Sequence, residues 1–510
     1  MFSSLNSMGL SGIDGFMVKV EADLSQGLPG FDVVGLPGAA VRESRGRVRA
    51  ALKNGGFTYP VSRITINLAP ADIRKEGSVY DLPLLLALLK VSDQLRADLS
   101  DCAFIGELSL DGEVRPVTGV LPMVIAARDN GIKHVFIPAD NAAEGAVVDG
   151  VTVYPVKTVT ELLLHLQGGE PITPVSADDY HAEADEHVPD FADVKGQAAA
   201  RRAMEVAAAG GHNILLIGPP GSGKSMLAKR LPSILPDMTP TEALEATKIH
   251  SIAGELHKNA GLLTVRPFRS PHHTISVAGL AGGGTTPKPG EVSLAHHGVL
   301  FLDELPEFSR TAMESLRQPL EDHRVTISRV SATLSYPCSF MLVAAMNPCP
   351  CGFYGHPTRK CTCSPTAAQH YLSRISGPLL DRVDLHIEVP PVEFEQLTSK
   401  SASESSASIR ARVNAARAIQ NKRFAGTDVI SNATIPAGKL QEWCPMTEAA
   451  KTLLQNAFDR MGLSARAYDR IVKVARTVAD LDAADVIDVP HIAEAIQYRS
   501  LDRKYWQERG

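Results

Sequence analysis

The chain has 510 residues, a formal net charge of −6, 44% hydrophobic and 21% charged residues. That length exceeds what one hydrophobic core serves, so several domains are expected, and the negative balance excludes a global attraction for nucleic acid, leaving local basic patches for any such partner. The longest apolar run, Leu82 to Leu89, falls far short of the ~20 residues a bilayer requires, and no export leader is visible. The seven cysteines then predict reduced or metal-bound thiols in a cytoplasmic protein, not disulfides.

From about Gly12 to Gln167, strand and helix signals alternate. Phe16 to Val20 and Arg63 to Leu68 read as strands, Leu82 to Leu89 as a helix, and Ala103 to Leu110 with Glu113 to Val117 as a hairpin turning on Asp111-Gly112. A helix over Leu121 to Asn130, closed by Gly131, and a strand at His134 to Ile137 complete one α/β domain, assigned to residues 1–175. Its stretch Ile105-Gly106-Glu107-Leu108-Ser109-Leu110-Asp111-Gly112-Glu113-Val114-Arg115-Pro116-Val117 resembles the Lon-type peptidase fold. Such peptidases need a serine activated by a lysine, and the aligned positions hold Val79 and Leu121; Ser78, one residue away, has no partner amine. The resemblance implies a peptidase fold without peptidase activity, retained for assembly or for gripping nucleic acid.

Residues 176–190 form an acidic stretch without Lys or Arg and read as a linker. A second α/β domain is expected over 191–398. It opens on an apolar strand, Asn213 to Ile217, that empties into Gly218-Pro219-Pro220-Gly221-Ser222-Gly223-Lys224-Ser225 and then a helix. Glycines at these positions let successive N–H groups turn toward an anion, Lys224 would sit on the β- and γ-phosphates of ATP, and Ser225 would ligate Mg. Downstream, Val299 to Leu302 is a buried-strand pattern that delivers Asp303 to the Mg shell and Glu304 as the base that polarises the attacking water. A third strand, Phe340 to Met346, ends at Asn347.

Asn347 stands where the ring-forming AAA+ ATPases carry a polar residue that orients water, and the chain resembles that superfamily further along. In Gly377-Pro378-Leu379-Leu380-Asp381-Arg382-Val383-Asp384, Arg382 matches the arginine finger that a neighbouring subunit supplies. The resemblance thus implies a ring, a homo-hexamer. The long gap between Ser225 and Val299, with Arg266 to His273 and the Gly-rich run Ala281 to Thr286, resembles the helix-two insert of the magnesium-chelatase and MCM branch, and Arg324 to Tyr336 resembles its pre-sensor hairpin. Both loops hold DNA phosphates in the helicases of that branch, which makes Arg269, Lys288 and Arg329 the candidate contacts.

Four thiols, Cys349, Cys351, Cys361 and Cys363, crowd one loop after Asn347 and suit a structural zinc, with Cys338 or His356 as substitutes. A Ser-rich stretch over 399–408 reads as a linker to a helical lid at 409–510, where Ala450, Leu453, Leu454 and Phe458, then Ile471, Val474, Ala475 and Val478, repeat at helical spacing. Within it Ser464-Ala465-Arg466 resembles the second-sensor motif, with Arg470 one turn on as the alternative. A Lon-like front, a chelatase-type centre and a helical tail together resemble the YifB/ComM family of bacterial magnesium-chelatase-like ATPases, over about Gly12 to Leu481. That resemblance implies a hexameric DNA helicase that drives branch migration of single-stranded or branched DNA in recombination or natural transformation. The alternative is a chelatase-like, ATP-driven remodelling chaperone without DNA activity, and no membrane partner is expected.

Overall fold

Buried serines build the first strand. In β1 (Phe2–Ser11) Leu5 and Met8 face the core, while Ser3 and Ser7, also buried, donate to Ala87 O at 3.0 Å and Phe104 O at 2.9 Å. Satisfied hydroxyls of this kind carry no hydrophobic period, so this strand escapes a pattern reading. The computed structural model describes residues 1–180, 188–256, 260–284, 287–328, 333–356, 358–392, 403–502 and 505–506. The chain divides into two compact units: Met1–Ala184 with Pro240–Thr264 and Ser328–Tyr336, and Asp185–Thr239 with Val265–Ile327 and Pro337–Gly510.

In the first unit β1 is followed by β2 (Asp14–Ser25), β3 (Gly30–Val34), β4 (Arg63–Ala69) and β5 (Cys102–Phe104). Then come the short β6 (Glu107–Leu108) and β7 (Val114–Arg115), and finally β8 (His134–Pro138) and β9 (Thr152–Val156). Seven of them form one mixed sheet in the order β3-β4-β2-β1-β5-β8-β9. The strand expected over Ala103 to Leu110 is broken in two. Gly106 leaves the sheet because its N–H donates to Val79 O and its carbonyl accepts from Leu82 N, both at 3.0 Å, and only β6 goes on to pair with β7 in the expected hairpin. The helix Asp81–Val91 is buried on nearly every side, which is why it reads as an apolar run without a polar face.

The helix Pro240–Ala253, part of the long gap after Ser225, belongs to this unit. Buried Glu144 explains the attachment. It accepts from Leu121 N at 2.8 Å at the start of the helix Val120–Asp129 and from the Ser251 hydroxyl of the inserted helix. Burial raises its pKa against the lowering effect of these donors. Where Lon-type chemistry would need its dyad, Val79 and Leu121 are both buried hydrophobics and the Ser78 hydroxyl donates to Glu107.

The second unit is built on five parallel strands: β10 (Ile214–Ile217), β11 (Phe268–Arg269), β12 (Val299–Leu302), β15 (Met341–Met346) and β16 (Leu385–Glu388), in the order β11-β12-β15-β10-β16. Between β12 and β15 in the chain come β13 (Arg324–Ser328) and β14 (Thr333–Pro337), the latter almost wholly in the stretch that belongs to the first unit. Every residue of β10, β12 and β15 is buried, as a parallel sheet covered on both faces requires. The helices Ser406–Arg423, Ala465–Leu481 and Val489–Gln497 share this core, with Val413, Ile471, Val474 and Val478 packed in the same cluster as Ile214 and Leu216. Of the stretch read as a Ser-rich linker, 399–402 lie outside the described residues. Ser405 caps the helix that follows, and buried Ser406 accepts from Phe191 N at 2.8 Å, so these serines serve a helix start.

A polar knot closes the lower end of this sheet. Buried Asp384 accepts from Asn213 N at 2.9 Å and from Arg470, with His212 Nδ1 at 3.6 Å. Asn213 in turn donates to Arg382 O at 2.9 Å and accepts from Leu342 N at 2.8 Å. Burial alone would raise the Asp384 carboxyl, but the Arg470 guanidinium, with the His212 ring beside it, holds it well below the usual range. Asp384→Ala leaves Arg470 without its buried counter-charge. It is expected to cost about 3–5 kcal/mol, read as a lowered thermal midpoint of the intact chain, and an unchanged midpoint would remove the knot from the stability account.

Candidate active site

The phosphate-loop glycines are required by their surroundings. Gly221 and Gly223 adopt φ of +76° and +93°, and a Cβ on Gly218 would overlap Val389 O. The loop ends on the helix Lys224–Arg230, with Gly223 at its N-cap. The Ser222 hydroxyl is buried and has no hydrogen-bond partner among the described residues, as suits a group that completes its bonding with a phosphate oxygen. Pro219 and Pro220 fix the loop's outer turn, and Pro219 O accepts from Lys224 Nζ at 2.9 Å.

Four side chains expected to act on a triphosphate are gathered here. Lys224 Nζ also donates to Gly218 O at 2.8 Å and to Asn347 Oδ1 at 3.2 Å, which joins the ends of β10 and β15. Ser225 Oγ donates to Asp303 Oδ2 at 2.6 Å, so the hydroxyl and carboxylate proposed for Mg converge on one point. Asp303 Oδ1 accepts from Glu304 N at 2.9 Å and thereby fixes the turn after β12. Glu304 itself stands at φ +52°, ψ +47°, a left-handed conformation that costs a non-glycine residue about 1 kcal/mol or more and is found at functional sites. Its carboxylate lies 3.6 Å from His273 Nδ1, and its side chain is 58% exposed, open to a water.

His273 joins the site without any role expected from the sequence. The signal was there: two histidines shortly after β11, which pairs directly with the strand that carries Asp303 and Glu304.

Burial lowers the Lys224 ammonium to about 8, against the opposing pull of Asp303 and Glu304. Lysine in an unfolded chain titrates near 10.4, so between about pH 8 and 10 the folded chain binds fewer protons and this group adds stability as pH rises. Phosphate reverses the preference, because its charge favours the ammonium. Binding should therefore take up a proton above about pH 8, and affinity for a non-hydrolysable ATP analogue should fall by up to about tenfold per pH unit there. A flat profile from about pH 7 to 9.5 would place the Lys224 charge away from the phosphates.

The remaining expected residues are placed differently. Arg382 is only 7% exposed, and its guanidinium donates to Pro378 O and pairs with Glu321. Arg466 is 64% exposed near the start of the helix Ala465–Leu481, 3.9 Å from Asp381, whereas Arg470 is held by Asp384. Arg269 makes a bidentate pair with Glu291 at 2.7 and 2.9 Å, so its charge is answered within the chain; Lys288 is exposed, and Arg329 lies outside the described residues.

The cysteine loop assembles as a cluster. Sγ atoms of Cys349, Cys351 and Cys361 lie 3.4, 3.6 and 3.7 Å apart, and Cys363 completes a group of four whose sulfurs all lie within 4.8 Å of one another. Zinc–thiolate bonds of about 2.3 Å give a tetrahedron with an edge of about 3.8 Å, which these separations approach. Backbone N–H groups are aimed at the sulfurs: Cys351 N donates to Cys363 Sγ at 3.3 Å, and Phe353 and Thr362 supply Cys351. Neither substitute joins them, since His356 Nδ1 accepts from Thr358 N and Arg359 N, and Cys338 is buried elsewhere.

Sequence comparison supplies the context for this geometry. Residues 190–397 match the family described as magnesium chelatase, subunit ChlI; 20–141 match subunit ChlI of Mg-chelatase, and 403–499 match the ChlI C-terminal family. The chain is 44% identical over 497 residues to competence protein ComM of Haemophilus influenzae, covering 96% of each chain. It is 42% identical over 506 residues to the uncharacterized protein YifB of Escherichia coli, covering 98% of this chain and 97% of that one. A part of the chain is also similar to Lon protease of Mycolicibacterium smegmatis, 28% identical over 167 residues, or 31% of this chain and 21% of the protease. Among the described residues no helix is long and apolar enough to cross a membrane.

Proposed function

The chain belongs to the ComM/YifB family of magnesium-chelatase-like AAA+ proteins, and from that footing we propose that it is an ATP-hydrolysing, ring-forming DNA motor, a homo-hexamer that moves branch points in recombining or incoming DNA. The observation that carries the ATPase part is the convergence of Lys224, Ser225, Asp303 and Asn347 at the ends of neighbouring parallel strands. The DNA part rests on the competence name of the Haemophilus relative.

In this reading Lys224 and the loop N–H groups hold the phosphates, and Asn347 positions the Lys224 ammonium. Ser225 and Asp303 would hold Mg, which supplies charge neutralisation on the phosphates when bound. Glu304, directly after Asp303 and beside His273, takes the proton of the attacking water. Arg382 is the group offered to the neighbouring subunit, and reaching it requires release from Glu321. Arg466, standing in solvent, is the lid arginine better placed to swing onto nucleotide, because Arg470 is committed to Asp384. Lys288 remains a candidate DNA contact. The four thiols take a structural zinc, and the N-terminal unit is a Lon-like fold without peptidase chemistry.

Branch migration exchanges one base pair for another at nearly no net cost, so ATP serves direction and passage over mismatches. The test is strand exchange on a synthetic four-way junction with purified protein and ATP, alongside ATP turnover with branched or single-stranded DNA. ATP-dependent exchange with severalfold stimulation is expected. Absence of both, with turnover instead raised by a protein substrate, would overturn the motor in favour of a remodelling chaperone.

A further inference from the structure

The thiol cluster and the phosphate loop meet at one residue. Gly352, at φ +80°, lies so close to Pro220 that a Cβ there would overlap the proline ring. Its N–H donates to Cys349 O at 2.9 Å, closing the turn that carries the first two thiols. At the far end the chain enters the helix Pro365–Leu372, where buried Tyr371 is hydrogen-bonded to the backbone of Asn347. The segment thus leaves the nucleotide site at Asn347, touches it again at Pro220, and returns to Asn347 through Tyr371.

Between Met346 and Pro365 there is no helix or strand among the described residues. Backbone ladders therefore do not hold this segment against the phosphate loop. A single tetrahedral crosslink among Cys349, Cys351, Cys361 and Cys363 would do so, by removing most of the conformations an open loop of this length would sample.

We propose that a thiophilic divalent cation of the zinc class, held by these four cysteines, braces the loop behind Pro220 and Asn347, so that metal occupancy sets nucleotide affinity. This rests on the zinc reading above and adds a coupling to it. The metal takes no part in phosphate chemistry; it fixes the wall against which the phosphate loop rests. Gly352 is the contact through which that wall is felt, and an alanine there separates the contact from the metal.

The experiment uses the full chain purified without chelator. Metal analysis should find about one zinc per chain. Binding of a fluorescent ADP analogue in magnesium buffer is then compared for the untreated protein, for protein stripped of zinc and returned to magnesium, for stripped protein given zinc again, and for Gly352→Ala. Stripping should raise Kd by about tenfold, zinc should restore it, and Gly352→Ala should keep its zinc yet show a comparable rise with unchanged far-UV circular dichroism. Zinc below about 0.2 equivalents would overturn the metal assignment and the coupling with it. A full equivalent of zinc with unchanged Kd in both the stripped protein and Gly352→Ala would overturn the coupling alone.

Discussion

Glu304→Gln is expected to bind ATP as the parent does and to hydrolyse it about 10² to 10⁴ times more slowly. The amide is isosteric, keeps the left-handed turn after β12 and leaves Asp303 and Ser225 where they are, so nucleotide affinity should hold. What disappears is the carboxylate proposed to accept the water's proton. Single-turnover hydrolysis beside equilibrium binding of a fluorescent analogue separates the two quantities. Parent-like turnover would remove Glu304 from the chemistry and turn attention to its neighbour His273.

Lys224→Ala acts one step earlier. The ammonium is the one cationic side chain in hydrogen-bond contact with both the loop carbonyls and Asn347 among the described residues, so its loss should weaken ATP binding by about 10²-fold. The substitution also leaves Asn347 Oδ1 without this donor, and addition of a small amine should not restore a charge held at 8% exposure. Calorimetric titration with ATP checks it; affinity within about twofold of the parent would show that the N–H groups alone carry the phosphates. The two variants are complementary, because one loses binding and the other keeps it.

Much of the candidate nucleotide site's geometry was legible because it rests on local rules. A glycine must stand where φ is positive, a lysine and a hydroxyl must open the helix, and an acid must end a buried strand. Asn347 was readable as well, since the strand before it is apolar throughout and the polar residue marks its end. The cluster of four thiols followed from spacing, although the exclusion of His356 required seeing its ring nitrogen turned toward Thr358 and Arg359.

Less legible were the features that depend on partners distant in sequence. Nothing local to Arg382 announces Glu321, nor does Arg269 announce Glu291, and in both cases a cation expected to reach outward is held by a carboxylate. Ser3 and Ser7 hid a central strand because their hydroxyls are satisfied by Ala87 and Phe104. The helix Pro240–Ala253 gave no sign that it belongs with the N-terminal unit, since the deciding contact is Ser251 on a glutamate more than one hundred residues earlier. The break at Gly106 likewise came from the backbone of Val79 and Leu82, which no hairpin rule includes.

The carboxylate of Asp384 grips the first residues of the nucleotide strand and a helix of the C-terminal layer together, at the end of the sheet opposite the phosphates. That arrangement is a fulcrum. With the strand origins pinned, a tilt of the helical layer would be felt at the far tips of the strands, among the groups proposed to surround the triphosphate. In the proposed motor, force generated by cleavage would travel the same lever in reverse.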